Sequence, residues 1–165
     1  MTYRDSFHVS ARGETEIVMT RVFQAPRQLV FDAFTKPELV RQWLLGPPGW
    51  SMPVCEIDLR VGGRYRYVWR HESGQEMGMG GVYKEIVPPE RIVSTEKFDQ
   101  AWYPGEAVGS VILSEMDGKT TLTHIVSYQT GEARDAVLKS PMEKGVAAGY
   151  NRLEDLMATL PGGAR

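Results

Sequence analysis

Residues 141–160 read PMEKGVAAGYNRLEDLMATL. Met142, Val146, Gly149, Leu153, Leu156 and Leu160 recur at intervals of 4, 3, 4, 3 and 4 residues, which puts them on one stripe of an α-helix with Tyr150 and Met157 beside it. A helix of that span is about 30 Å long. Residues 132–139 predict a helical turn or two ahead of it, separated by Pro141, whose ring disfavours an unbroken helix through that point.

Upstream of this helix the period changes. Residues 52–61, 64–71, 75–86, 91–98, 108–116 and 119–128 read as strands, and their separators are turn residues: Gly62-Gly63, Ser73-Gly74, Pro88-Pro89, the Pro104-Gly105 region and Asp117-Gly118. Links this short make consecutive strands antiparallel. Residues 14–23, ETEIVMTRVF, alternate around Ile17, Met19, Arg21 and Phe23 and bring the count to about seven. After Pro26, Leu29, Val30, Ala33 and Phe34 predict a short helix over 26–35. Thr35-Lys36-Pro37-Glu38 then has the spacing of a capping box, and a second short helix with Leu39, Val40 and Trp43 runs to about residue 45 before Gly46-Pro47-Pro48-Gly49 breaks it.

This order predicts an α+β fold: a curved antiparallel sheet of about seven strands, two short helices after the first strand, and a long C-terminal helix across the concave face. Such a sheet needs one face covered, and only the final helix is long enough to do it. A strongly curved sheet gripping one helix can enclose a cavity, filled either by side chains or by a ligand. The chain reads as a single domain over 1–165 with its core in 14–160, residues 1–12 and 161–165 being terminal tails.

The bulk properties narrow the function classes. The 165 residues carry a net charge of -2 at a pI near 5.9, which supplies no general attraction to nucleic acid or anionic membrane. No apolar run approaches the roughly 18 residues of a membrane span, and the polar start has no secretory segment, so a cytoplasmic location without membrane insertion is expected. One cysteine, Cys55, and histidines at 8, 71 and 124 show no metal-ligand spacing, so no metal site is predicted. Phosphate-loop, dinucleotide-binding and serine- or cysteine-nucleophile motifs are absent from the sequence, and no cofactor is predicted.

Four stretches in this order resemble a known family: PRQLVFDAFTKPELVRQW at 26–43, Asp58-Leu59-Arg60-Val61-Gly62-Gly63, GVYKEIVPPERI at 81–92, and Gly145 followed by Tyr150-Asn151-Arg152-Leu153. The chain, over roughly residues 15–160, resembles the activator of heat-shock protein 90 ATPase-like branch of the START-like (SRPBCC, birch-pollen-allergen-like) superfamily. The resemblance implies a helix-grip fold with a pocket between sheet and C-terminal helix. Many members carry tryptophan directly after the helix glycine, where this chain has Val146. It also lacks the separate N-terminal domain by which eukaryotic members engage the chaperone, so chaperone activation is not expected here.

Strand parity nominates the site. Leu122, His124, Val126 and Tyr128 share the face that looks core-directed; Ile92, Ser94, Glu96 and Phe98 share a face, and the resemblance puts Glu96 on its cavity side. A carboxylate and an imidazole inside the grip either form an acid–base or ligand-anchoring site or bond a neighbour near the mouth. Met77 and Met79 share a face with Gly81 and Tyr83, as adaptable pocket lining or core filler. Trp43, Trp50, Trp69 and Trp102, with Tyr103, either gather at an entrance or pack in the core. After the turn at Gly62-Gly63, Arg64, Arg66, Val68 and Arg70 point one way and Tyr65, Tyr67 and Trp69 the other. The arginines have acidic company in Glu56, Asp58 and Glu76, which predicts a solvated outer face and an aromatic inner one. Val146 and Tyr150 complete the cavity candidates, and Gly145 and Gly149 either bring the helix close or leave room for a ligand. The expected partner is a small apolar or amphipathic molecule. Two alternatives are a cyclase-, aromatase- or hydrolase-like enzyme using Glu96, His124 or a tyrosine, and a co-chaperone acting through its outer surface. A homodimer is compatible with base rates of assembly.

Overall fold

The computed structural model describes residues 3–100 and 103–162. Eight antiparallel strands form one sheet: β1 (His8–Arg12), β2 (Glu16–Phe23), β3 (Trp50–Ile57), β4 (Arg64–His71), β5 (Glu76–Val87), β6 (Arg91–Phe98), β7 (Ala107–Met116) and β8 (Lys119–Ser127). The helices are α1 (Arg27–Thr35), α2 (Pro37–Trp43), α3 (Gly131–Lys139) and α4 (Met142–Thr159). The strand order is β1-β2-β8-β7-β6-β5-β4-β3. The chain makes one edge hairpin, crosses by α1 and α2 to the opposite edge, and meanders back until β8 pairs with β2. This is the predicted helix-grip architecture.

The additional strand is β1, which lies in the stretch read as a tail. It pairs with β2 from His8 opposite Thr20 to Arg12 opposite Glu16. Four of its five residues are exposed, so backbone hydrogen bonds hold it and no apolar alternation announces it. The capping box at residues 35–38 does not form. The Thr35 hydroxyl instead donates back to the Phe31 carbonyl at 2.9 Å, and no side chain caps α2. At α3 a cap that was not anticipated is present: the Thr130 hydroxyl accepts from the Ala133 amide at 3.0 Å, an arrangement that satisfies one otherwise free donor.

Inward and outward faces alternate as expected in β4. Tyr65 and Tyr67 are buried, whereas Arg66 forms a two-pronged pair with Asp99, one arm at 2.7 Å, and Arg70 pairs with Glu76 at 2.8 Å. Glu76 is the partner anticipated and Asp99 is not. The sheet is tightly pinched at Gly81, where an added Cβ would lie 1.9 Å from the Thr95 carbonyl oxygen, and the β5–β6 register shifts between Tyr83 and Glu85. A bulge of this kind raises the local twist and helps curl a sheet into a cup.

The interior of that cup falls into two apolar clusters. One, beneath α1, α2 and the C-terminal half of α4, holds Phe23, Trp43, Leu122, Leu153 and Met157. The other, beneath α3, holds Ile17, Met19, Val126, Tyr128 and Val137. Val146, half-buried on α4, packs against both. All four buried residues of α4, Gly149, Tyr150, Leu153 and Met157, lie from its eighth residue onward, so the helix divides into a loosely packed first part, 142–148, and a packed second part, 149–159. The first part therefore covers the sheet without sealing onto it.

Arg21, read from the sequence only as one position in an alternating strand, is a fully buried inward cation. It pairs with Glu154 of α4 at 3.1 Å and donates from Nε to the Tyr3 carbonyl at 3.0 Å. Arg4 reaches Asp155 at 2.9 Å, and the Phe7 ring stands edge-on to Tyr150 at 5.7 Å. Residues 3–7 are thereby strapped over the packed half of α4.

Candidate functional site

Two aromatic tracks run along the inner face. On the β4–β5 side, Tyr83 meets Tyr65 at 5.5 Å, Tyr65 meets Tyr67 at 5.0 Å, and Tyr67 meets Trp69 at 5.8 Å between ring centroids. On the other side, Phe98 meets Tyr103 at 6.3 Å and Tyr103 meets Tyr128 at 5.2 Å. Glu96, on β6, lies between them. Its negative charge reaches Tyr65 and Tyr67 of one track and Tyr103 and Tyr128 of the other, and together with burial it holds all four hydroxyls well above the usual phenol range.

Glu96 is enclosed deeply enough that burial alone pushes its carboxyl up from 4.5 to about 7. It is nevertheless only half-buried by accessible surface. A side chain that is deep and still accessible borders solvent-reachable space, whereas a core side chain is deep and sealed. Among the described residues no hydrogen-bond donor is paired with its carboxyl, and it is absent from the sealed polar atoms that lack partners. Its unused acceptors therefore open onto that space. A buried polar group without a partner is costly, and such groups cluster where a ligand completes them.

His124 of β8 has the same character. Burial lowers its imidazole from 6.5 to about 4, so it is neutral near pH 7, and it too keeps accessible surface. Gly109 on β7 makes room for it, since a Cβ there would lie 3.3 Å from Nε2. The two groups share the inner face without forming a pair. Glu96 stands opposite Ala107 and His124 opposite Val111, which separates them by four residues along β7 and two strand spacings, or about 16 Å between Cα atoms. Neither ionisation is influenced by the other. An acid–base dyad of these two residues is excluded by the register.

The remaining candidates divide by depth. Trp69, Met77, Met79, Phe98 and Val146 are half-buried on the inner side, Trp69 being held by donation from Nε1 to the Leu44 carbonyl at 2.7 Å. Tyr65, Tyr67, Tyr83 and Tyr128 are buried along the tracks, with the Tyr65 hydroxyl tied to the Thr95 carbonyl at 2.6 Å. Trp43 and Tyr150 belong to the sealed core instead. Trp43 is 1% exposed and donates to the Ala33 carbonyl at 2.9 Å; Tyr150 is 3% exposed and wedged among Phe7, Phe23 and Trp43. Trp102 lies outside the described residues.

Gly145 and Gly149 meet their neighbours at ordinary contact distance, so close approach does not demand glycine at either. A Cβ on Gly149 would stand 3.4 Å from the Trp43 carbonyl, and one on Gly145 would stand 3.5 Å from Pro47 Cδ. Leu44 and Leu45, which sequence reasoning passed over, are half-buried against the first cluster, as are Trp69 and Val146, and Met142 packs against the second. Only their position after the α2 stripe marks the two leucines in the sequence. Two grooves of about 280 and 350 Å³ lie elsewhere, one lined by Arg27, Glu85 and Arg91 and the other by Trp50, Arg70 and His71. Trp50 thus packs on His71, at 5.1 Å, away from the inner face. Among the described residues no three His, Cys, Asp or Glu side chains are grouped to hold a metal ion, and no helix is long and apolar enough to cross a membrane.

Comparison with known proteins adds the lineage. A protein of Rhodobacter sphaeroides has a similar structure with a TM-score of 0.88 and 31% identity, over 93% of this chain and 99% of that one. A protein of Chromobacterium violaceum has a TM-score of 0.75 and 32% identity, over 86% and 96%. The AHSA1-like protein of Aeromonas hydrophila, at 14% identity and a TM-score of 0.68, over 90% and 99%, shares the fold. A search of functionally curated proteins finds no match. The family model described as activator of Hsp90 ATPase homolog 1-like protein matches residues 24–158, and the chain belongs to that family.

Proposed function

We infer that the protein binds a small amphipathic molecule between the sheet and the first half of α4, its apolar part against Trp69, Met79, Phe98 and Val146 and its polar end at Glu96. The observation that carries this reading is the Glu96 carboxyl, deep between two tyrosine tracks, with accessible surface and no hydrogen-bond donor among the described residues. An apolar interior with few convergent polar groups is the usual form of a small-molecule site. The loosely covered end of the sheet supplies the way in, because α4 can lift there without disturbing Leu153 or Met157.

A thermal-shift panel of single-chain amphiphiles and flat aromatic compounds tests this. A ligand at 100 times its Kd stabilises the fold by about 2.7 kcal/mol, which for a chain of this size raises Tm by roughly 5–10 °C. The substitutions Val146→Trp and Met79→Trp fill the space and should abolish the shift while the protein stays folded. Ligand shifts that survive both would place binding elsewhere, and a panel with no shift would leave the reading without support.

A second reading has one observation in its favour. A carboxyl near 7 is matched to proton transfer at neutral pH, so the same site can act on a bound molecule as a single-residue acid or base. Turnover of a bound compound by wild type, lost in Glu96→Gln with binding retained, would establish it.

A further inference from the structure

We propose that the molecule held in this site is a cation, an apolar body ending in a protonated amine whose nitrogen sits on the Glu96 carboxylate between the tyrosine rings. This rests on the binding reading above and specifies the chemistry of the ligand. The first observation is the sign of the site. Glu96 is its acid, and no lysine or arginine among the described residues influences its ionisation. A carboxylate or phosphate headgroup brought there would meet like charge in a poorly screened interior.

The interior cations are held at other places. Arg21 is paired with Glu154 and the Tyr3 carbonyl. Arg134 is paired with Asp135 and donates to the Gly13 and Glu16 carbonyls. Arg152, whose Nη1 is sealed without a partner among the described residues, lies in the second part of α4 and does not influence Glu96, and His124 is neutral at pH 7. An anionic head entering under Val146 therefore meets no cation beside Glu96 among the described residues.

The second observation is the wall. In the sheet, β4 with Tyr65 and Tyr67 lies two strands from Glu96 on one side, and β8, which leads into Tyr128, lies two strands away on the other; ring contacts carry the tracks on to Trp69 and, through Tyr103, to Phe98. The faces of aromatic rings carry negative electrostatic potential and attract ammonium groups, more strongly where water is excluded. A carboxylate among aromatic side chains offers an amine charge neutralisation and, from any ring face turned to it, a cation–π contact. A hydroxyl in the same place gains one hydrogen bond and nothing from the rings.

Binding should then follow the ionisation of Glu96. The groups that face it are the hydroxyls of Tyr65, Tyr67, Tyr103 and Tyr128, all of which stay protonated up to high pH, while His124 on the same inner face titrates near 4. Between about pH 5 and 8 the carboxyl is the group that changes. An alkylamine, itself charged throughout, should bind more weakly by roughly tenfold for each pH unit below 7.

The experiment compares decylamine, decanol and decanoate by calorimetry against the whole protein at about pH 7.5. The expected order is decylamine tightest, at least about tenfold over decanol, with decanoate weakest. In Glu96→Gln the advantage of the amine should vanish while decanol binding persists, and Tyr128→Leu should weaken decylamine more than decanol. Should the Gln variant not fold, the pH titration of wild type with decylamine decides, and a flat affinity from pH 5 to 8 overturns the proposal. Decanol or decanoate binding as tightly as the amine overturns it too, yet leaves amphiphile binding standing. Failure of all three to bind removes both.

Discussion

The two halves of α4 carry one continuous apolar stripe, yet only the second is sealed against the sheet. From Gly149 onward the helix buries four residues, rests against Trp43, and is tied by Glu154 to Arg21 and by Asp155 to Arg4. From Met142 to Ala148 it buries none, resting Met142 and Val146 half-buried on the apolar clusters and facing Pro47 at Gly145. The stripe tells which side faces inward and is silent on how closely that side packs. Depth depends on what lies beneath: Met142 and Val146 rest on the second apolar cluster while staying half-buried themselves, and Phe98 on the same cluster is half-buried too.

The sharpest way to break this contrast is to truncate one side chain in each half. Leu153→Ala removes a fully buried side chain from a site that cannot collapse and should cost about 3–4 kcal/mol, whereas Val146→Ala should cost less than about 1 kcal/mol. Chemical denaturation of the two variants measures both. Equal losses would mean that the first half is packed as tightly as the second, and the open site would be gone.

Next in size is the strap. Removing the acid in Glu154→Ala leaves the fully buried Arg21 guanidinium to the Tyr3 carbonyl, the Phe23 ring, 4.7 Å away, and the weaker field of Asp155, and should cost about 3 kcal/mol. The double change Arg21→Met with Glu154→Leu should recover most of that loss, since the cost lies in an uncompensated charge and not in a missing attraction. A double variant as unstable as the single would show that the pair itself, through its hold on residues 3–7, supports α4.

The same contrast explains what could be read in advance. Predicted bounds of 141–160 for the last helix and 64–71 for the aromatic strand lie within a residue or two of α4 and β4, because both rest on local periodicity. Tyr65, Tyr67 and Trp69 followed from strand parity for the same reason. The strand β1 has no buried face to leave a pattern, and Arg21 looks polar in sequence while its partner Glu154 is 133 residues away. The separation of Glu96 from His124 is a matter of register across β6, β7 and β8, which no single strand encodes. Trp43 and Tyr150 carry the same aromatic signal as Tyr67; whether an aromatic lines a space or fills one is decided by neighbours distant in sequence.

The smallest predicted effect concerns the two deep polar groups of the inner face, Glu96 and His124, and it separates them by sign. Glu96 has a folded value of about 7 against 4.5, so between those limits the native state holds more protons than the unfolded chain and stability falls as pH rises. His124 has about 4 against 6.5, so between those limits the unfolded chain holds more protons and stability rises with pH. From about pH 4.5 to 6.5 the slopes oppose each other, and the wild-type contribution of the two groups is nearly flat. Each substitution unmasks the other slope. Relative to wild type, Glu96→Gln should gain stability as pH rises from 4.5 to 7 and hold that gain above 7, while His124→Gln should gain as pH falls from 6.5 to 4. Both groups keep contact with water, so each swing should be about 1–2 kcal/mol, a few degrees in Tm. Parallel Tm profiles for wild type and both variants across pH 4 to 8 would mean that neither group is buried as described, and the inner face around them would be an ordinary wet surface.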